Sequence, residues 1–348
     1  MKKHALNAAK WAISLTIIIF LVYKVVAEDQ ETFTRLREEP KDWPLLLAAL
    51  VCLATAVTLT FVRWFWLVRA LDLPFRFADA LRLGYIGYMF NLVSLGSVGG
   101  DLFKAVFIAR EHPERKTEAV ATIILDRFIG LYGILILASV VMLNIDLAQF
   151  GERAEQLAAI RWFTWTATGV VSLMFVALLL PFFLRGPIVE KFCNIPRLGP
   201  TIRKLVDAAL VYRQQRDVLW MCILLTIGIH CLMVLVFYFC SRALPNEAPP
   251  LLSQFAIVPI GMLCGAIPLP GGGLGAFEAV MEFLYAQISP VTPAPVGQGL
   301  LIALTYRVLT ILVGLIGVGY YLRRRKEVDE VYHQAELEEE SEASGHVA

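Results

Sequence analysis

The fold is decided by residues 84–107, GYIGYMFNLVSLGSVGGDLFKAVF. A near-apolar run is interrupted at its middle by SLGSVGG, and Asp101 and Lys104 follow the glycines directly. The neighbouring segments are long enough to cross a bilayer, so the interruption and its charges are expected at membrane depth. Non-helical backbone is tolerated there only where protein or a water-filled cavity surrounds it. The stretch is therefore a candidate site.

A second stretch repeats this pattern later in the chain. Residues 259–281, PIGMLCGAIPLPGGGLGAFEAVM, align with the first stretch without a gap, and Lys104 falls on Glu278, so the charge inverts. The identical pairs are Ile86/Ile260, Gly87/Gly261, Leu95/Leu269, Gly99/Gly273, Phe103/Phe277, Ala105/Ala279 and Val106/Val280. Each copy precedes a long apolar segment with one deep arginine, Arg127 or Arg307. These similarities predict an internal repeat.

The composition places the chain among membrane proteins. Of its 348 residues, 58% are hydrophobic and 18% are charged, and the mean hydropathy is +0.66. The net charge of +1 gives no sign of a nucleic-acid partner. The six cysteines form no CxxC motif, and there is no HExxH motif or histidine cluster, so neither a metal nor a cofactor is expected. We predict an all-α polytopic membrane protein.

The distribution of lysine and arginine predicts the topology. Cytoplasmic loops of polytopic proteins carry an excess of these residues. The loop at 144–160 is acidic on balance, and the basic segments all fall on the other side: 110–116, 185–216 and 323–326. The rule gives about six full crossings, both termini in the cytoplasm, and two re-entrant or broken helix pairs that enter from opposite faces. The halves, centred on 79–143 and 251–322, then form an inverted repeat, as in many transporters.

The first two crossings carry further expectations. Residues 11–26, WAISLTIIIFLVYKVV, form either a signal peptide or an uncleaved first helix. We expect the helix, because the run is long and Lys24 interrupts the cleavage region. The second crossing ends in side chains expected to lie in the membrane interface: Arg63, Trp64, Trp66 and Arg69.

The membrane domain is expected to span 1–326, with two surface features on its cytoplasmic side. Residues 201–215 place an apolar stripe on one helical face, Ile202, Leu205, Val206, Ala209 and Leu210. This helix either lies in the membrane interface or packs on the bundle. The tail at 327–348 is acidic and poor in large apolar residues, and is predicted to be disordered.

The two deep arginines suit an anionic ligand. Arg127 and Arg307 lie about 15 Å along their helices at ~1.5 Å per residue, near the middle of a ~30 Å hydrocarbon core. An arginine at that depth is a site candidate, and its guanidinium matches phosphate oxygens. The half-helices that restart after Gly100 and Gly273 would aim N–H groups into the same space. A phospholipid phosphate is the anion that a membrane always supplies.

The same residues have a purely structural alternative. Asp101 is placed to pair with Arg127, and either Glu278 or Glu282 to pair with Arg307, so that the ion pairs only hold the hairpins. Asp101 also suits the N-cap of its half-helix.

Other polar residues in the apolar segments have simpler roles. Asp126 is adjacent to Arg127 and about 100° around the helix, so the two are not expected to share a face, and Asp126 is expected to hydrogen-bond within the bundle. Ser94 and Ser97 lack the GxSG context of a serine nucleophile, and His230 is expected to be hydrogen-bonded in the core.

Three motifs together resemble the flippase-like family, the membrane domain of lysylphosphatidylglycerol synthases. They are N-x-x-x-x-G-x-x-G-G-D-x-x-K at 91–104, the Asp126–Arg127 pair, and P-x-P-G-G-G-x-G-x-x-E at 268–278, and the resemblance covers about residues 8–325. It implies movement of a lipid or lipid-linked head group between the leaflets of a bacterial cytoplasmic (inner) membrane. By this match Asp101, Arg127, Glu278 and Arg307 become candidate substrate-binding residues. Our further candidates in and beside the two glycine clusters are Asn91, Gly99, Gly100, Lys104, Gly272 and Gly273.

The resemblance also sets the expected partners. These are membrane lipids, either an anionic phospholipid or a polyprenyl-linked lipid, with a homo-oligomer or a separate lipid-modifying enzyme as further possibilities. The aminoacyl-transferase domain of fused members does not follow the last helix, so lysyl transfer is not expected and the chain is not expected to be an enzyme. The alternatives are a membrane transferase or hydrolase acting on a lipid phosphate, a secondary transporter of a small anion, and a scaffold.

Overall fold

The computed structural model shows an all-helical membrane protein. It describes residues 40–93, 99–144, 151, 154–179, 186, 190–191, 199–244, 249–266, 275–288 and 297–323. Within these ranges there are ten α-helices, one 3₁₀ turn at Pro113–Arg115, and no strand. The helices are α1 (Trp43–Ala70), α2 (Phe77–Val93), α3 (Gly99–Glu111), α4 (Lys116–Leu143), α5 (Ala154–Leu179), α6 (Gly199–Gln214), α7 (Arg216–Ala243), α8 (Leu251–Ala266), α9 (Ala276–Ile288) and α10 (Gln298–Arg323).

Five of these helices, α1, α4, α5, α7 and α10, are long and apolar enough to cross a membrane. The predicted all-α polytopic fold is thereby confirmed. The predicted first crossing at 11–26 and the tail at 327–348 lie outside the described residues. Helix α5 begins at Ala154, earlier than its apolar run indicates, and its first turn carries Glu155, where the helix dipole favours a carboxylate.

Each interrupted segment folds as two short helices that pack on each other. Helices α2 and α3 have 17 and 13 residues, and helices α8 and α9 have 16 and 13. A crossing needs about 20 residues, so none of the four spans a bilayer in the ordinary way. In the first copy one short helix ends at Val93 and the next begins at Gly99. In the second copy one ends at Ala266 and the next begins at Ala276.

Helices α1 and α7 form the most extensive helix pair in the described part of the chain, and they are antiparallel. The Asp42 amide, just before α1, donates to the carbonyl of Ala243 at the end of α7 (3.1 Å). At the other end of α1, the carbonyl of Leu67 accepts from the Tyr212 hydroxyl, which lies shortly before α7 (2.8 Å). These two bonds fix the opposite directions of the two helices.

Each helix of this pair is the first of four consecutive helices, and the two sets of four have matching lengths. Helices α1 to α4 have 28, 17, 13 and 28 residues, and helices α7 to α10 have 28, 16, 13 and 26. Their packing is also reciprocal, because α2 packs on α10 while α8 packs on α4. The broken pair of each four-helix unit thus contacts the long arginine-bearing helix of the other.

The predicted interfacial position of Arg63 and Trp64 is wrong. Both are buried, with 5% and 1% of their surfaces exposed. The Trp64 indole donates to the Thr122 hydroxyl on α4 (3.1 Å). The reason is tertiary: α1 lies between α7 and α4, so this part of α1 faces protein instead of lipid head groups.

Helix α6 packs on the bundle, which was one of its two predicted arrangements. It contacts α4, α5 and α7, and Tyr212 near its end is buried. In the predicted stripe, Val206, Ala209 and Leu210 are half-buried, while the side chains of Ile202 and Leu205 lie outside the described part.

The α2–α3 hairpin depends on a close approach of two backbones. A Cβ placed on Gly100 would overlap the Gly87 carbonyl and lie 2.8 Å from the Asn91 side-chain oxygen. A Cβ on Gly87 would lie 2.9 Å from the Gly100 carbonyl. Because backbone atoms cannot move aside cheaply, both positions require glycine.

We expect Gly100→Ala to destabilise the protein by about 1–3 kcal/mol through overpacking of this hairpin. The control is Gly319→Ala, because a Cβ at Gly319 on α10 meets nothing within 4 Å. Alanine in a helix interior is favoured over glycine by roughly 0.5–1 kcal/mol, so the control should not lose stability. Thermal unfolding in detergent measures both, and equal melting temperatures would contradict the close approach.

Candidate functional site

A cavity of about 420 Å³ lies among helices α1, α2, α3, α4, α7, α8 and α10. Its described lining is apolar over much of its area, with residues such as Leu53, Phe61, Ile134 and Met262. The other described lining residues include a set of polar and charged side chains: Thr60, Arg63, Tyr88, Asn91, Asp101, Lys104, Asp126, Arg127, His230 and Tyr306. The volume falls within the range of small-molecule and cofactor sites.

The cavity lies about halfway along the crossing helices. Arg127 follows the start of α4 at Lys116 by 11 residues, so it lies about 16 Å along a helix that is about 42 Å long, at ~1.5 Å per residue. A charged cluster at this depth is costly unless it is paired or faces a wet cavity. Here the charges are paired, and they line the cavity.

Asp101 organises the charged group. It is the third residue of α3, and one of its oxygens accepts a hydrogen bond from Nε of Arg127 on α4. Its other oxygen lies 3.8 Å from the Lys104 ammonium, one turn further along α3. The Arg127 side chain keeps 52% of its surface exposed. One carboxylate therefore holds two cations beside the cavity, and the cluster retains a positive charge.

The Lys104 ammonium also contacts two aromatic rings. It lies 5.4 Å from the ring of Phe61 and 5.3 Å from the ring of Trp64. The negative face of an aromatic ring attracts a cation, which offsets part of the cost of burying the charge. The Lys104 ammonium is thus stabilised by the Asp101 carboxylate and by the two aromatic rings.

Arg307 and Glu278 form a separate cluster. The Arg307 guanidinium donates twice to one oxygen of Glu278, from Nε (3.2 Å) and Nη2 (2.8 Å), and lies over the ring of Phe277. The Glu278 side chain is fully buried. Arg307 and Glu278 are not part of the described lining of the 420 Å³ cavity, although the adjacent Tyr306 is. The expectation that both deep arginines face one space is therefore wrong for this structure.

The first amides of the short helices are already bonded within the protein. The Gly100 amide donates to the side-chain oxygen of Asn91 on α2 (2.8 Å), and the Gly275 amide donates to Glu278 (2.6 Å). Glu282 accepts from the amides of Gly297 and Leu300 at the start of α10. The expectation that these N–H groups await an anion is wrong for these amides, because an amide in a dry interior requires a partner.

The positions of the carboxylates revise the alignment of the two copies. Asp101 is the third residue of α3, and Glu278 is the third residue of α9. Lys104 lies against Gly87, whereas Met281 lies against Gly261. The structural counterpart of Lys104 is therefore Met281, not Glu278, and the gap-free alignment slips by three residues across the break.

The remaining predicted residues are partly described. Gly99 begins α3, whereas Gly272 and Gly273 lie outside the described residues. His230 is hydrogen-bonded in the core as predicted, since its Nε2 lies 3.0 Å from the carbonyl of Gly130.

A polar network that includes two lining residues of the cavity, Arg63 and Asp126, was missed by the sequence analysis. The Arg63 guanidinium bonds the Asp126 carboxylate (2.7 Å), the Asp126 carbonyl (3.2 Å) and the Thr226 hydroxyl (2.8 Å). The predicted bond of Asp126 within the bundle is thus confirmed, with Arg63 as its partner. The sequence feature that could have predicted this pair is the Asp126 carboxylate, because a carboxylate in the middle of a crossing helix requires a cationic partner.

The comparison with known families agrees with this architecture. The family model for the lysylphosphatidylglycerol synthase TM region matches residues 8–317. The chain belongs to this family. A comparison with curated proteins finds no match. As a member of this family of membrane domains, the protein has a membrane lipid-related function, and all described lining residues of the cavity lie within the matched range.

Within this family member, the Arg63–Asp126 pair is expected to be essential for stability. Arg63→Met leaves the buried Asp126 carboxylate unpaired, which should cost about 3–5 kcal/mol. The double variant Arg63→Met/Asp126→Leu removes both charges and should regain most of this loss. Arg69→Met, at the exposed end of α1, is the control. Thermal unfolding in detergent measures all four proteins, and a double variant no more stable than the single one would contradict the pairing.

Proposed function

We propose that the protein moves an anionic phospholipid or lipid-linked head group between the two leaflets, holding its phosphate in the 420 Å³ cavity. The observation that carries the proposal is the cluster of Asp101, Lys104 and Arg127 beside this cavity, halfway along α4. A guanidinium fork matches phosphate oxygens, and the positive charge of the cluster supplies the attraction.

The apolar part of the lining favours a lipid over a small inorganic anion. Leu53, Val57 and Ile134 on the crossing helices line the same cavity as Arg127. A free anion gains nothing from such surface, whereas a lipid buries its glycerol and upper acyl carbons against it. The step requires no covalent change, so no catalytic residue is assigned.

The proposed mechanism uses an inverted repeat of two four-helix units, α1–α4 and α7–α10. The antiparallel contact of α1 with α7, the matched helix lengths and the reciprocal packing of the broken pairs support it. In each unit a carboxylate at the third position of the short helix pairs with the arginine of the following helix. In this structure Arg127 is half-exposed, whereas the Arg307 side chain is 21% exposed against a fully buried Glu278. We propose that the two units exchange these states during transport.

The direction of the helices supports a cytoplasmic position for both termini. Because α1 and α7 are antiparallel, Arg69 at the end of α1 and Arg216 at the start of α7 lie at the same end of the bundle. Basic residues gather at the cytoplasmic face of polytopic proteins. A bacterial cytoplasmic membrane with its anionic lipids fits this assignment, and self-association or a lipid-modifying enzyme as partner is compatible with it.

Arg127→Ala should slow lipid exchange in proteoliposomes by about tenfold or more, since a hydrogen bond to a charged group contributes about 1.5–3 kcal/mol. Arg307→Ala should slow exchange as well, because the proposed cycle requires Arg307 to take over the exposed state of Arg127. The assay reconstitutes acyl-chain-labelled phosphatidylglycerol and follows reduction of the label by external dithionite. Arg69→Ala is the control, because Arg69 is exposed at the end of α1.

All variants must insert and purify as monodisperse species before their rates are compared. The lipid is then recovered and its molecular mass is determined by mass spectrometry. A transferase or hydrolase would produce a lipid of different mass, whereas a translocase leaves the lipid unchanged. Exchange at the parent rate by both arginine variants would refute the site assignment.

A further inference from the structure

The charge balance of the cavity identifies the kind of head group that it accepts. Three of the described lining residues are cationic, namely Arg63, Lys104 and Arg127, and two are carboxylates, Asp101 and Asp126. The described part of the lining therefore carries one positive charge more than it carries negative charges. A single phosphodiester supplies one negative charge and brings the sum to zero.

Both carboxylates are already engaged by cations. Asp126 lies 2.7 Å from Arg63, and Asp101 is paired with Arg127 and with Lys104. An ammonium group on the lipid would enter a site with surplus positive charge and find no uncommitted carboxylate in the described lining. Like charges brought together in a poorly hydrated site cost several kcal/mol.

The remaining polar groups of the lining are uncharged. They are the Asn91 amide, the hydroxyl-bearing side chains of Thr60, Tyr88 and Tyr306, and the His230 imidazole bonded to Gly130. Hydroxyl and amide groups form hydrogen bonds with a polyol as readily as with water. They suit a glycerol or sugar beyond the phosphate.

We infer that the cavity selects lipids with a phosphodiester and an uncharged polar head group, and rejects those that carry an ammonium. This inference rests on the proposed translocation of lipids. It excludes aminoacylated and ethanolamine lipids from the site in the state described.

Lys104 is the residue that sets this selectivity. Its counterpart in the second four-helix unit is Met281, which contacts Gly261 as Lys104 contacts Gly87. Methionine is therefore compatible with the same position in the fold. Lys104→Met removes the surplus positive charge and leaves the paired Asp101 and Arg127 in place.

The test measures the exchange rates of four acyl-chain-labelled lipids in proteoliposomes of the full chain: phosphatidylglycerol, phosphatidylethanolamine, N-acetyl-phosphatidylethanolamine and lysylphosphatidylglycerol. The acetylated lipid differs from phosphatidylethanolamine by loss of the amine charge, so the pair isolates that charge. We expect phosphatidylglycerol and the acetylated lipid to exchange faster than the two amine lipids by about tenfold or more.

In Lys104→Met the ratio of phosphatidylglycerol to phosphatidylethanolamine exchange should fall towards one. Lys116→Met, which removes an exposed lysine at the start of α4, should keep the parent ratio. The lipid panel on the parent protein needs no variant and remains decisive if Lys104→Met does not fold.

Equal exchange of all four lipids by the parent protein overturns the inference and leaves the proposed function standing. A selective parent with an unchanged ratio in Lys104→Met overturns the assignment to Lys104. If no lipid exchanges faster than in empty liposomes, the proposed function fails, and this inference fails with it.

Discussion

The architecture depends on how a helix is ended and restarted inside a membrane. Amides and carbonyls that leave a helix there have no water to bond, so the protein must supply their partners. Asn91 does this for Gly100, and Glu278 does it for Gly275. Glu278 also holds Arg307, so in the second broken pair one carboxylate serves both the backbone and a buried cation. In the first pair the two tasks are divided, because Asn91 bonds the Gly100 amide while Asp101 pairs with Arg127 beside the cavity.

Much of the fold follows from the sequence because the deciding signals are local. Apolar length predicts the crossings, glycine clusters predict the interruptions, and Asp101 and Glu278 each come shortly after a glycine cluster in the sequence. The position of Arg63 could not be obtained in this way. An arginine seven residues from the end of an apolar helix has the pattern of an interfacial residue, and only the packing of α1 between α4 and α7 buries it. The slip that makes Met281 the counterpart of Lys104 is equally tertiary, since it depends on which side chain meets Gly87 or Gly261.

The two units share a plan but differ chemically. Both place a carboxylate on a short helix against an arginine on the following long helix, but only the first adds a lysine, Lys104, where the second has a methionine. Lys104 therefore adds a positive charge beside the half-exposed Arg127, whereas the more buried Arg307–Glu278 pair has no such neighbour at Met281.

The central claim is that a lipid phosphate occupies the cavity among the helices at mid-depth. The most direct measurement is a cryo-electron microscopy structure in nanodiscs that contain phosphatidylglycerol, at a resolution that shows bound lipids. The account predicts phosphate density within hydrogen-bonding distance of Arg127 and Lys104, with acyl chains against the apolar lining. Ordered lipid confined to the outer surface of the bundle, with the cavity closed by side chains, would contradict it.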